Sequence, residues 1–145
     1  MQNTSINNMI IPANIKKEPS NNSGINSLIE LTATDMEKVN SLIISQTISK
    51  TDMIPKISRY LITAGGKRLR PMLTIASSIL CGCKDDNHIL LATSVEFMHT
   101  ATLLHDDVVD DSSMRRGKIS AKMLWGNEAS VLVGDYILGQ AFKIM

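Results

Sequence analysis

From Glu96 to Gly117 the chain reads EFMHTATLLHDDVVDDSSMRRG, an apolar run that passes without a break into four carboxylates and two guanidinium groups. The strongly apolar segment Ile89 to Leu104 has to be buried, so the element that carries it must leave the core at a heavily charged end. Asp106, Asp107, Asp110 and Asp111 fall within six positions and stand just before Arg115 and Arg116. On an α-helix, at about 100° per residue, Asp106 lies about 20° from His99 around the axis and about 40° from Asp110. These three residues therefore share one stripe, and the two aspartates on it are about 6 Å apart along the axis.

Such a cluster is either a solvated helix end or a site for a metal-bridged anion. Negative charge near a helix C-terminus opposes the macrodipole, so the arrangement is unfavourable unless a cation offsets it. Oxygen ligands suit Mg²⁺, a hard ion that keeps several waters and is commonly shared with substrate phosphates. Asp106 and Asp110 are thus expected to hold Mg²⁺ against a phosphate ester.

Composition narrows the fold class. Apolar residues make up 43% of the chain but aromatics only 3%, and the apolar set of Ile, Leu, Met, Ala and Val suits close-packed helices. An all-α domain follows. A net charge of +1, from 15 basic and 14 acidic residues, provides no global field to attract nucleic acid. Cys81 and Cys83 form CGC without two further ligands at metal-site spacing, so reduced thiols are expected rather than zinc or a disulfide. No apolar run reaches the length of a membrane span, and the first residues lack the order of a secretory signal. A cytoplasmic protein is the expectation.

Residues 1–26, rich in Asn and Ser with Pro12 and Pro19, show no sustained period and read as a mobile tail. A helical pattern begins near Ser27. Thr34 and Glu37 have the spacing of a capping box, and Met36, Val39, Leu42 and Ile43 carry an amphipathic helix to about Ile48. A second helix starts at Thr51 or Asp52 and ends at Gly65-Gly66. Pro71 opens a buried helix that stops at Gly82, and Asp85 or Asp86 caps the helix carrying the acidic motif. His88 reads as a surface residue and His105 as a core histidine. Ser112 to Trp125 reads as a loop or short turn, and Asn127 caps a mostly buried last helix carrying Val131, Leu132, Tyr136, Ile137, Leu138 and Phe142.

Between the second and third helices lies GGKRLRP, Gly65 to Pro71. Glycines let the backbone approach an anion, and Lys67, Arg68 and Arg70 beside a helix N-terminus attract one. A solvated basic loop is the plain alternative.

The pattern DDxxD followed by MRRG, with GGKRLRP upstream, resembles the trans-isoprenyl diphosphate synthases, and the wording is closest to the long-chain, octaprenyl-type bacterial members. The likeness covers about Leu31 to Met145. It implies an all-α antiparallel helix bundle of the isoprenoid synthase type, of which residues 27–145 would be the N-terminal half. It also implies a prenyltransferase that joins isopentenyl diphosphate to an allylic, farnesyl-type diphosphate. By the same resemblance Lys67, Arg70, His99 and Arg116 hold the isopentenyl diphosphate, Arg115 faces the allylic diphosphate, and Asp106, Asp107 and Asp110 serve catalysis. Mg²⁺ on two aspartate-rich motifs would draw off the allylic diphosphate, leaving a carbocation that the isopentenyl double bond attacks before proton loss. Bulky aromatics one turn before the motif give short products in the family, so the small Ala101 and Thr102 imply long ones.

This chain carries one such motif, so the resemblance implies an incomplete clamp and no activity by the chain alone. Two other readings stand beside the enzyme. The chain could be a non-catalytic fragment or small regulatory subunit of a prenyl synthase, entering homo- or hetero-oligomers. A terpene cyclase is disfavoured by GGKRLRP, because cyclases need no second diphosphate.

Overall fold

The computed structural model describes residues 23–145. Helix α1 (Ser23–Gln46) begins four residues ahead of the expected start, and residues 1–22 of the expected tail lie outside the described residues. Thr34 and Glu37 fall in its interior rather than at a cap. The chain has already turned through more than two turns of helix there, so its backbone donors have intrahelical partners and nothing is left for a capping box to satisfy.

Helix α2 (Met53–Thr63) follows with Asp52 at its N-cap position, and the chain leaves it through Gly65, whose φ of +85° suits glycine. Helix α3 (Leu69–Leu80) opens two residues before Pro71, so the proline sits in the first turn rather than at its first position. Its missing N–H is harmless there, because first-turn donors lack intrahelical acceptors anyway. Pro71, Met72 and Ile75 are buried, but Leu73 and Leu80 are exposed. The helix is covered on one side only, not buried as its apolar composition suggested. At its end the N–H of Gly82 bonds the Ile79 carbonyl and that of Cys83 the Ser78 carbonyl, a Schellman-type stop that turns on Gly82 at φ +72°. Cys81 and Cys83, on this turn, are free and exposed.

Helix α4 (Asn87–Val109) carries the acidic motif. Asp86 stands at its N-cap position without a side-chain cap bond, and Asp85 just before it accepts from the Asn87 N–H through Oδ1 at 3.1 Å. His88 is not a surface residue. Its Nε2 lies 3.0 Å from Asp35 Oδ2 on α1 and its Nδ1 2.8 Å from the Asp85 carbonyl, so the ring ties α1 to the start of α4.

Beyond α4 the expected loop is a hairpin and a short helix. Strands β1 (Met114–Arg115) and β2 (Lys118–Ile119) pair antiparallel, and Arg116 (φ +51°) and Gly117 (φ +75°) join them with both residues left-handed, as a two-residue type I′ turn requires. Helix α5 (Ala121–Trp125) leads through Gly126 into α6 (Asn127–Ile144), so Asn127 is the first helical residue and not the cap.

The core lies mainly where α6 packs on α4, extended by α1, α2 and α3. The face of α6 that is covered is Ser130, Val133, Gly134, Ile137 and Ala141, which leaves Leu132 and Phe142 67% and 64% exposed. The expectation of a mostly buried α6 fails for these two and for Val131, which is also exposed, because small residues at helical spacing let the backbones approach, turning these side chains away. A Cβ on Gly134 would fall 2.7 Å from His105 Cδ2, and Ser94 Oγ reaches across to the Ala141 carbonyl at 3.2 Å. Phe97, Ile43, Ile57, Ile75, Leu104 and Ile137 are among the largest fully buried side chains, each worth about 1.5–3 kcal/mol of transfer free energy. The architecture is all-α, as expected, with the two-residue strands as its one addition among the described residues. No helix among them is long and apolar enough to cross a membrane.

Candidate functional site

At the C-terminal end of α4 the four aspartates divide into two pairs. Asp107 points inward and is fully buried, its Oδ1 accepting from Arg115 Nε at 2.9 Å and Nη2 at 2.5 Å. This bond, with the negative charge of Asp106 and Asp110 nearby, holds the Arg115 guanidinium above its ordinary range. Asp111, turned into the left-handed region at φ +50°, pairs with Lys122 of α5, which pulls its carboxyl below the usual carboxylate range. Asp106 and Asp110 are exposed, and their side chains make no hydrogen bond or ion pair among the described residues. The helix holds to this point, the Asp110 N–H bonding the Asp106 carbonyl at 2.8 Å, so the two free carboxylates do stand one turn apart.

The hairpin aims the two arginines apart. Arg115, on β1, turns back to α4, whereas Arg116, at the tip, donates to the carbonyl of Gly65 in the glycine loop. The hairpin is fastened to α2 from its other strand. Tyr60 Oη donates to the Ile119 carbonyl at 2.5 Å, Lys118 Nζ reaches the Thr63 carbonyl at 3.4 Å, and Trp125 packs edge-on against Tyr60 at 5.1 Å between ring centroids. Sequence spacing offered no sign of this docking, since the partners lie more than fifty residues apart.

Across the loop, Arg70 Nη1 lies 3.2 Å from His99 Nε2. A guanidinium can only donate, so Nε2 must be the acceptor and the imidazole is neutral, with its proton on Nδ1. Burial lowers the His99 pKa, and the positive charge of Arg70 adds to it. The Nδ1–H remains a donor for an anion. Lys67 is exposed and makes no hydrogen bond or ion pair among the described residues. His99, Arg115 and Arg116 line one cleft, together with Leu61, Glu96 and Arg68. Arg70 borders it through His99, and Asp106 and Asp110 continue the stripe past its end.

Two participants had no assigned role in the sequence. Glu96 pairs with Arg68 at 2.5 Å, both side chains nearly buried, and Lys122 holds Asp111. The signal for the first was a lone carboxylate inside an apolar helix, one turn before His99.

The free carboxylates form no closed metal cage, and no group of three or more His, Cys, Asp or Glu among the described residues could hold an ion alone. Two carboxylates with room for water and phosphate oxygens are, however, what a hard divalent cation shared with a substrate requires. The donor set fits that use and not a structural ion.

Residues 51–145 match the family model described as polyprenyl synthetase. The octaprenyl diphosphate synthase of Escherichia coli is 49% identical over 116 residues, which cover 80% of this chain and 36% of that protein. The corresponding synthase of Haemophilus influenzae is 46% identical over 121 residues, 83% of this chain and 37% of that one. Among solved structures, a polyprenyl synthase from Caulobacter crescentus complexed with calcium and isoprenyl diphosphate superposes with a TM-score of 0.83 at 48% identity, covering 88% of this chain and 39% of that one. A decaprenyl diphosphate synthase from Rhodobacter capsulatus gives 0.81 at 51% identity, over 83% of this chain and 37% of that one. The chain thus spans little more than a third of the length of these curated relatives. With a family model matched over most of its residues and a site built from the same stripe and loop that carried the resemblance, the chain belongs to the polyprenyl synthetase family.

Proposed function

We propose that this chain supplies the isopentenyl diphosphate site and the first metal-binding stripe of an all-trans polyprenyl diphosphate synthase. That enzyme would lengthen an allylic diphosphate such as farnesyl diphosphate by isopentenyl units, toward the long chains used in quinone side chains. The observation that carries this reading is the division of the acidic cluster. Asp107 and Asp111 are tied to Arg115 and Lys122, while Asp106 and Asp110 make no hydrogen bond or ion pair among the described residues. A solvated helix end would have no need to separate them.

In this reading Lys67, Arg70 and Arg116 neutralise the diphosphate of the isopentenyl substrate, and His99 donates its Nδ1–H to it. Arg115 spends Nε and Nη2 on Asp107 and keeps Nη1 for the allylic diphosphate. Asp107 then acts by orienting Arg115. Asp106 and Asp110 would hold Mg²⁺, which when bound offsets the charge that builds on a departing diphosphate. A relative crystallised with calcium and isoprenyl diphosphate is consistent with a divalent cation at such a site. The isolated 145 residues carry one aspartate stripe and expose Val109, Leu132 and Phe142; by themselves they are proposed to bind diphosphate without turnover.

Titration calorimetry of the chain with inorganic pyrophosphate, with and without Mg²⁺, tests this. Wild type should bind in both conditions and gain affinity with Mg²⁺, and Asp106→Asn or Asp110→Asn should lose that gain alone. In a chimera completed with the remainder of a relative, Asp106→Asn should lower turnover by about 10²–10³ because leaving-group charge is no longer offset. Wild-type turnover in that variant would remove the metal role from Asp106.

A further inference from the structure

Glu96 is the one acidic residue among the described residues that line the cleft, and a carboxylate there is at odds with an anion site unless it serves something else. Its side chain is 11% exposed and lies 2.5 Å from Nη1 of Arg68, itself 13% exposed. Arg68 adopts φ +50°, ψ +34°, a conformation that side-chain-bearing residues rarely take and that persists only where surroundings over-determine it. Three contacts do so: Nη1 on Glu96, Nη2 on the Ile62 carbonyl at 3.3 Å, and the Arg68 carbonyl accepting the Met72 N–H at 3.3 Å as α3 begins.

The consequence falls on its neighbours. Lys67, Arg68 and Arg70 would repel one another in an open loop. With Arg68 drawn inward and its charge matched by Glu96, Lys67 is left outside it and Arg70 is delivered to His99, which stands one turn beyond Glu96 on α4. One face of α4 therefore grips the loop twice, through Glu96 and Arg68 and through His99 and Arg70.

We propose that Glu96 is a positioning residue for diphosphate capture: through its ion pair with Arg68 it sets the left-handed turn that presents Lys67 and Arg70 to the anion. This rests on the reading of residues 65–70 as a diphosphate loop. It accounts for a buried ion pair that stability alone would not demand, since such pairs seldom outperform apolar replacements of like volume.

The test uses the 145-residue chain and inorganic pyrophosphate, titrated in EDTA to read the cation loop and again with Mg²⁺ to add Asp106 and Asp110. Glu96→Gln should weaken binding in EDTA about tenfold, the loss of one well-oriented charge contact, while the ratio of affinities with and without Mg²⁺ stays at the wild-type value. Arg68→Ala should do the same, and the double variant should be no weaker than either single one, because both act through one pair. Unchanged binding in EDTA by Glu96→Gln, additive losses, or a Mg²⁺ gain that falls in step would each overturn the proposal, the second by showing that the two residues act independently and the last by marking a merely structural pair. If Glu96→Gln does not fold, Arg68→Lys substitutes for it, keeping the charge but losing the two-pronged anchor. The same loss in EDTA, with the Mg²⁺ ratio unchanged, is then expected, and an undiminished affinity in EDTA would overturn the proposal. Wild type that binds no pyrophosphate in either condition would remove the proposed function and this inference with it, whereas wild-type binding with indifferent variants removes the inference alone.

Discussion

The guanidinium of Arg116 lies against the backbone of Gly66, where a side chain would have to go: a Cβ there would stand 3.1 Å from Arg116 Cζ and 3.3 Å from Nη2, and closer still to Nη1. The hairpin tip and the glycine loop thus meet at the one loop position where the absence of a side chain is used for contact.

Gly66→Ala should therefore push Arg116 off the loop and also strain the backbone, because Gly66 holds φ +158°, which L side chains rarely adopt. Pyrophosphate affinity without metal should fall by about three- to tenfold, the worth of one surface charge-assisted contact. The melting temperature should fall modestly with the backbone strain. Calorimetry and a thermal melt on the same sample check it, and an affinity equal to wild type would mean that Arg116 is not part of the anion site.

A second expectation concerns chain length. If the allylic tail runs from Asp106 toward the start of α4, the residue beneath it is Thr102, which is exposed and about 40° from Asp106 around the helix. Ala101 is buried in the core cluster that also contains Leu104, Val133 and Ile137. In a completed chimera, Thr102→Phe should shift products to shorter chains, while Ala101→Tyr should first destabilise, by about 1–3 kcal/mol or more for overpacking. Chromatography of the dephosphorylated products with a urea titration separates the two. Unchanged product length in Thr102→Phe would mean that the tail does not pass this turn.

The neutral His99 makes stability depend on pH. Its folded pKa lies below the ordinary value of 6.5, chiefly through burial and then the charge of Arg70. Below that value the unfolded chain takes up a proton that the folded chain resists, so stability present above about pH 6.5 is lost as pH falls toward the folded pKa. His99→Gln has no proton to take up and should lose less stability over the same fall. Urea midpoints at pH 7.5 and 5 compare them, and parallel declines in the two proteins would contradict this origin.

Gly134 is held to glycine by His105, whose ring occupies the space of a Cβ and whose Nε2 lies 3.3 Å from the Val131 carbonyl and 3.4 Å from Asp135. Gly134→Ala should cost about 1–3 kcal/mol despite its better helix propensity. In the background of His105→Ala the same change should become neutral or stabilising. A cost that persists there would place the strain in the α4–α6 backbone contact instead.

What the sequence determined by itself was local. Hydrophobic period, Gly65, Gly82 and Asp85 marked where the helices run and stop, and 100° per residue already placed His99, Asp106 and Asp110 on one stripe. The resemblance in DDxxD and GGKRLRP carried the family. Where Thr34 and Glu37 or Asn127 misled, they obeyed a capping pattern that the surrounding helix had already made unnecessary or had shifted by one residue. What tertiary structure alone decided was which charges are free. Asp107 and Asp106 are adjacent and chemically identical, yet one is buried on Arg115 and the other is exposed. Arg68 turns inward to Glu96 while Lys67 beside it does not. Gly65 and Arg116 meet across fifty residues, and Gly134 and Ala141 of α6 meet α4 while Leu132 and Phe142 turn away. Each of these depends on a partner brought near only when separate helices pack, and helical spacing carries no information about a neighbour on another element.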